Sequence, residues 1–278
     1  AATLWLTVGF GFGFGNTANA QEENEVDLMQ QWQALPEGLQ GKIGSIDMRY
    51  ARDTVPVSDG NYLWLGVGWR GERLCAQVVL YTRDEVRQVR LDVKPLVSEA
   101  DPALNLGFGS VGAFFVGYAP AEGLPCADIL EATERMDVPA QSVQPVWVEF
   151  NIPRDAAPGR YHTTLEVKTE GGQQLAVDFK VEVLDLVLPP ASDWAFHLDL
   201  WQNPYAIARW HHVDPWSPVH FELMEPYYRM LADAGQKCLT VSLLDKPWGG
   251  QTYDPFQAMI QWRRLPDGSW DYDFNIFD

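Results

Sequence analysis

From about residue 60 the chain breaks into short runs of Val, Leu, Trp, Tyr and Phe separated by Gly, Pro and Asp, the pattern of half-buried strands joined by turns. The clearest runs are 62–69, 73–81, 86–93, 113–118, 146–151, 161–168 and 175–184. In the sixth run Tyr161, Thr163, Leu165 and Val167 alternate with His162, Thr164 and Glu166, so a period of two sends the first set to a core and the second to water. Pro153 to Arg160 brings a fixed φ and a glycine to the entry of that run, and Gly171-Gly172 is placed to close a hairpin behind it. Seven or so such strands with no long helix between them predict an antiparallel β-sandwich. An acidic lead-in at 22–33 reads as a helix.

The pattern changes at Leu188-Pro189-Pro190, which cannot continue a central strand and is taken as the domain boundary. Beyond it, Ala195 to Trp201 reads as a buried strand, and Ser217-Pro218 as an N-cap with proline in the first helical position. Leu223, Met224, Tyr227, Met230, Leu231 and Ala234 share one helical face, Gly235 ends the helix, and Pro226 is expected to kink or split it. Cys238 to Leu244 reads as a second strand, completing a βαβ unit with parallel strands and a right-handed crossover. One such unit cannot cover both faces of a parallel sheet. The expected fold class is thus a mostly β N-terminal sandwich, residues 21–188, followed by an incomplete α/β unit, residues 191–278, the first strands of a truncated β/α barrel. The alternative is a small α/β appendage complete in itself. A truncated barrel also predicts exposed apolar surface near 194–201 and 239–244.

The first twenty residues carry the apolar stretch Leu4 to Phe12 and then Ala18-Asn19-Ala20. They fit either a clipped signal peptide cut before Gln21 or a glycine-rich arm, and the signal reading predicts export to the periplasm, the cell surface or the medium. No run reaches the ~18 consecutive apolar residues of a membrane span. With 38 acidic against 20 basic residues, the net charge of -18 repels a phosphate backbone and argues against nucleic-acid binding. Twelve Trp, 10 Tyr and 13 Phe are a high aromatic complement, common where sugars are bound. Cys75, Cys126 and Cys238 allow one bridge at most, with Cys75–Cys126 the pair considered; three buried small side chains is the other reading.

Polar residues cluster where the strand after the boundary ends. His197, Asp199 and Trp201 point to one side, and Asp199, Trp201, Gln202 and Asn203 would line the rim of a barrel mouth. His197 and Asp199 are equally compatible with a buried hydrogen-bonded pair. The second strand ends in a loop carrying Trp248 and Gln251, which either meets a sugar face and its hydroxyls or plugs the core. His211, His212 and Asp214 are poorly spaced for a metal, and no metal or cofactor is expected. The chain has no phosphate loop, nucleophile elbow or Cys-x-x-Cys, and Asp84-Glu85 reads as a solvated turn.

These segments resemble glycoside hydrolase family 123. The resemblance runs through Trp69-Arg70-Gly71-Glu72-Arg73, Gln144 to Val148, Pro158-Gly159-Arg160-Tyr161, Phe196 to Pro204, Leu231 to Lys237, Pro247-Trp248, Gln251 to Asp254 and Phe277-Asp278. It implies a sandwich joined to a β/α barrel that removes terminal β-linked N-acetylgalactosamine from glycans with retention of configuration. The substrate's own 2-acetamido group then attacks the anomeric carbon through an oxazoline-like intermediate, assisted by an adjacent Asp-Glu pair on a later barrel strand. No position here matches that pair, so no catalytic residue is assigned. The sugar-contact candidates are His197, Asp199, Trp201, Gln202, Asn203, Trp248 and Gln251, the expected partner is a glycan with terminal β-N-acetylgalactosamine, and the alternative is a non-catalytic carbohydrate-binding or cell-surface sandwich.

Overall fold

Alternation of apolar and polar positions gives, among the described residues of the first unit, eleven strands in two sheets. The computed structural model describes residues 27–57, 60–121, 124–247 and 252–277, and the chain divides into units 1–188 and 189–278. One sheet runs in the order β1 (Leu39–Gly44), β3 (Arg73–Thr82), β9 (Ser142–Asn151), β6 (Val111–Ala121), β7 (Leu124–Glu131). The other runs β2 (Leu63–Arg70), β11 (Gln174–Val187), β10 (Gly159–Lys168), β4 (Val86–Val93), β8 (Arg135–Val138), with the short β5 (Val97–Ser98) also on β10. All seven expected strands are present. The short β1, β5 and β8 carry too few apolar positions to have stood out, and β7 has no alternation of apolar and polar residues to mark it.

Among the described residues of the first unit the pairing is antiparallel except at one place. β2 lies parallel to β11, which corrects the expectation of an antiparallel sandwich. Val78, Leu80, Val146, Val148 and Phe150 of the first sheet share one core cluster with Tyr161, Leu165, Val177, Phe179 and Val181 of the second. Trp64 stacks on Phe150 at 5.1 Å, and Phe150 meets Phe179 at 5.2 Å. In β10, Tyr161, Thr163, Leu165 and Val167 are buried while the residues between them reach solvent, as the period of two requires.

β3 is buried on both faces. Its outward-pointing Val79 and Tyr81 pack with Val143 under Trp32, from a helix over 27–33 (α1), and beside Leu35, Tyr50 and Val55. The Trp32 indole donates to the Asp53 carbonyl at 3.0 Å, and the Tyr118 hydroxyl sits 3.1 Å from the Tyr50 carbonyl and 3.0 Å from that of Val143. Burial pushes the Tyr118 hydroxyl far above the ordinary phenol range. The hairpin between β10 and β11 closes through Gly172 at φ 81°, a conformation open to glycine.

The three cysteines are free and half-buried, so the Cys75–Cys126 bridge is not formed. Burial, with Glu149 beside it, pushes the Cys75 thiol up. Asp84 and Glu85 occupy the β3–β4 turn, where Asp84 pairs with Arg83 and Glu85 with Arg87, each at 3.1 Å. The proposed signal segment lies outside the described residues. No helix among the described residues is long and apolar enough to cross a membrane.

The second unit contains α2 (Pro204–His211), α3 (Pro218–Asp233) and a hairpin of β12 (Gln261–Arg264) and β13 (Trp270–Asp273). The expected strands 195–201 and 238–244 form no ladder, and the one backbone bridge beside them pairs Leu198 in parallel with Gln236, two residues before the second segment. α3 is one helix through Pro226, not two. Its buried stripe is His220 and Met224 with Tyr228 half-buried below them, whereas Tyr227 and Met230 of the expected apolar face are exposed. The difference lies in His220, a polar type that periodicity sends outward. Its Nδ1 accepts from the Trp216 N–H at 2.9 Å and its Nε2 donates to the Pro204 carbonyl at 3.0 Å, so both ring nitrogens are satisfied in the interior.

Candidate active-site segment

Pro189 and Pro190 lead into a short turn at Ala191–Asp193, after which the chain extends toward α2. Trp194 anchors the entry: its indole N–H donates to the Pro189 carbonyl at 2.8 Å. Its ring lies so close to Gly235 that a Cβ there would sit 2.7 Å from it, and Gly235 holds φ 102°. Only glycine meets both demands without strain.

Glutamine amides occupy the space between the two extended segments. Gln236 accepts from the Leu200 N–H at 2.8 Å and donates to the Leu200 carbonyl at 2.9 Å and the Cys238 carbonyl at 2.7 Å. Gln202 accepts from the Thr240 N–H at 2.8 Å and donates to the Leu200 carbonyl. These bonds satisfy backbone groups that a ladder would have paired.

The sequence candidates therefore separate. His197, Asp199 and Trp201 are exposed, Trp201 at 70%, and the side chains of His197 and Asp199 come together with Cys238, their ligand atoms all within 4.8 Å of one another. Gln202 is 6% exposed and braces the segments, with both ends of its amide engaged. Asn203 is the N-cap of α2: its Oδ1 accepts from the N–H groups of Tyr205 and Ala206, and its Nδ2 donates to the Asp254 carbonyl at 2.9 Å. Asn203 is likewise committed to structure. Trp248 and Gln251 lie outside the described residues. His211 meets the Tyr227 hydroxyl at 3.2 Å, and His212 is the left-handed C-cap of α2.

A neighbouring cluster was not anticipated. Arg209 donates through Nε to both Asp254 oxygens, at 2.7 and 2.9 Å, and its guanidinium lies 4.9 Å from the centre of the Tyr253 ring. Its two halves are 45 residues apart in sequence, with no spacing signal between them. The cap was legible: Asn203-Pro204 repeats the cap-and-proline signature of Ser217-Pro218. Below it, Tyr205 packs edge-on to Trp216 and Phe256, and its hydroxyl donates to the Gln257 carbonyl at 3.2 Å.

Two family descriptions match the chain. The Glycoside hydrolase 123 N-terminal domain covers residues 43–119 and 118–169, and the Glycoside hydrolase 123 catalytic domain covers 201–278. Among solved structures, a family 123 glycoside hydrolase from Clostridium perfringens, studied for glycolipid glycan hydrolysis, is similar with 24% identity and a TM-score of 0.75 over 86% of this chain. This chain spans 44% of that protein's length. The ASH / PapD-like domain of human CEP192 covers 55% of this chain and 92% of its own at 10% identity, with a TM-score of 0.33. No curated protein matches the chain. With matches to both domains on either side of the boundary at Leu188, the chain belongs to glycoside hydrolase family 123.

Proposed function

We propose that the protein is an exported glycoside hydrolase that removes terminal β-linked N-acetylgalactosamine from glycans with retention of configuration. The observation that carries this reading is the family membership of both units, together with the exposed constellation of His197, Asp199 and Trp201 on the segment leading into α2. The apolar segment Leu4 to Phe12 followed by Ala18-Asn19-Ala20 supports export. The glycolipid glycan hydrolysis ascribed to the Clostridium perfringens relative supports the substrate class.

In this reading the Trp201 ring takes the apolar face of the sugar, while Asp199 and His197 bond its hydroxyls. The substrate's acetamido oxygen forms the bond to the anomeric carbon as the glycosidic bond breaks, and the departing oxygen takes a proton from a general acid. Water then bonds the anomeric carbon from the face the leaving group vacated, the bond to the acetamido oxygen breaks to restore the acetamido group, and the water's proton returns to the deprotonated acid. The acid and its neighbouring aspartate are not assigned to any residue of this chain. In this reading the segment 191–278 belongs to the start of a β/α barrel.

The test is hydrolysis of a chromogenic β-N-acetylgalactosaminide, with the glucosamine isomer as control, by this chain and by the longest product of its reading frame. Turnover of the galactosaminide with inversion, or of neither sugar, overturns the reading. Glycan binding without hydrolysis in either product points to a carbohydrate-binding module. Where hydrolysis occurs, Trp201→Ala is expected to raise KM about tenfold, the loss of one stacking contact.

A further inference from the structure

We propose that His197, Asp199 and Cys238 form a binding site for one zinc-class divalent cation. Imidazole, carboxylate and thiol converge here from two segments separated by α2 and α3, and their ligand atoms all lie within 4.8 Å of one another. A tetrahedral zinc with ligands at about 2.0–2.3 Å holds its donors about 3.3–3.8 Å apart. Closing the remaining distance takes a rotation of exposed side chains: His197 and Asp199 are open to solvent and Cys238 is half-buried.

The two segments are already tied in the register the site needs. His197 and Asp199 stand two residues apart on an extended segment and so share a side. The Leu198–Gln236 bridge and the Gln236 bonds to Leu200 hold the segment carrying Cys238 alongside. The Cys238 thiol points at this segment, donating to the Leu198 carbonyl at 3.5 Å. Nitrogen, oxygen and sulfur donors in one set match a borderline-soft cation and not calcium or magnesium, which take oxygen alone. Three protein ligands leave the fourth position to water. On binding, the thiol proton leaves to solvent and the thiolate bonds the metal, with no change of oxidation state. A net charge of -18 favours the cation further. The site shares His197 and Asp199 with the proposed sugar contacts, so a bound cation takes these side chains from the sugar hydroxyls, and because its readout involves no sugar its failure and that of the glycosidase reading are told apart.

The test uses the whole 278-residue chain with cobalt(II) as a spectroscopic probe and zinc in competition with a chromogenic chelator. The expected result is one ion per chain, with a thiolate-to-cobalt charge-transfer band that zinc abolishes. Cys238→Ser removes the band, His197→Ala and Asp199→Asn each weaken zinc binding by more than about tenfold, and Cys75→Ser and Cys126→Ser change nothing. Absence of the band, or its survival in Cys238→Ser, overturns the proposal. Should the Cys238 variant not fold, alkylation of the unmodified chain decides. Zinc slows modification of Cys238 and leaves Cys75 unaffected, and an unchanged Cys238 rate overturns it.

Discussion

Gln173 and Gln236 each hold both the N–H and the C=O of a single distant residue. Gln173 pairs with Leu39 at 2.7 Å in both directions, and Gln236 with Leu200 at 2.8 and 2.9 Å. A primary amide offers the same donor and acceptor as a peptide group, so one side chain replaces one residue of a neighbouring strand. Nothing in sequence distinguishes such a glutamine from a solvated one. Gln236→Leu is expected to destabilise the second unit by about 1–3 kcal/mol, because it leaves the Leu200 N–H without its acceptor, and chemical denaturation followed by Trp fluorescence reads it. Asn203→Ala removes the α2 cap and the bond to Asp254 and should cost about 1–2 kcal/mol in the same experiment. The candidate site was thus legible only in part: His197, Asp199 and Trp201 are exposed as their positions implied. Gln202 and Asn203 had the right chemistry for sugar, but the fold commits their polar atoms elsewhere.

Elements were most legible where a single physical rule governed them. Alternation located β10 and β11 because one face of that sheet is dry, whereas 195–201 and 238–244 have strand-like composition but hydrogen-bond mainly through side chains. Pro226 lies inside α3 without splitting it, so of the two outcomes expected of a proline in a helix, a kink or a break, the break is absent. At its end, Gly235→Ala is expected to cost more than about 1 kcal/mol, from the strained φ and the collision with Trp194, and a thermal melt of the variant would show it. On the solvent face of β4 and β10, Lys168 bonds Glu166 at 2.8 Å and Asp92 at 2.9 Å, with Lys94 and Arg90 extending the chain of charges. The Lys168 hydrogen bond holds both carboxyls below their ordinary values. Their contribution is therefore complete above the usual carboxylate range and is lost as pH falls through the lowered values. Being solvent-screened, it is small. Lys168→Met should lower stability slightly at neutral and mildly alkaline pH and leave it unchanged where both carboxyls are protonated, so the acid limb of a stability-against-pH curve flattens, and a variant whose acid limb matches the parent's would contradict this.

At the scale of the molecule the sandwich owns most of the interior. Phe150, stacked on Trp64 and tilted against Phe179, is its aromatic centre, and Phe150→Ala should cost about 3–5 kcal/mol. The second unit instead leaves Phe196, Leu200, Leu239, Val241, Leu243 and Leu244 exposed, so the native chain is expected to bind a hydrophobic dye. A chain that stays dark at temperatures well below its melt would contradict the arrangement. Sequence anticipated this surface from the incomplete covering of the βαβ pattern, and it anticipated the sandwich from strand count, but not that one strand pair is parallel. That pair sets an order in time. β2 is made early, yet its ladder partner β11 begins more than a hundred residues later, on the far side of every other strand of both sheets. A growing chain therefore carries Leu63 to Arg70 without its neighbour through nearly the whole synthesis of the sandwich, and the sheet gains that strand only when its last one arrives.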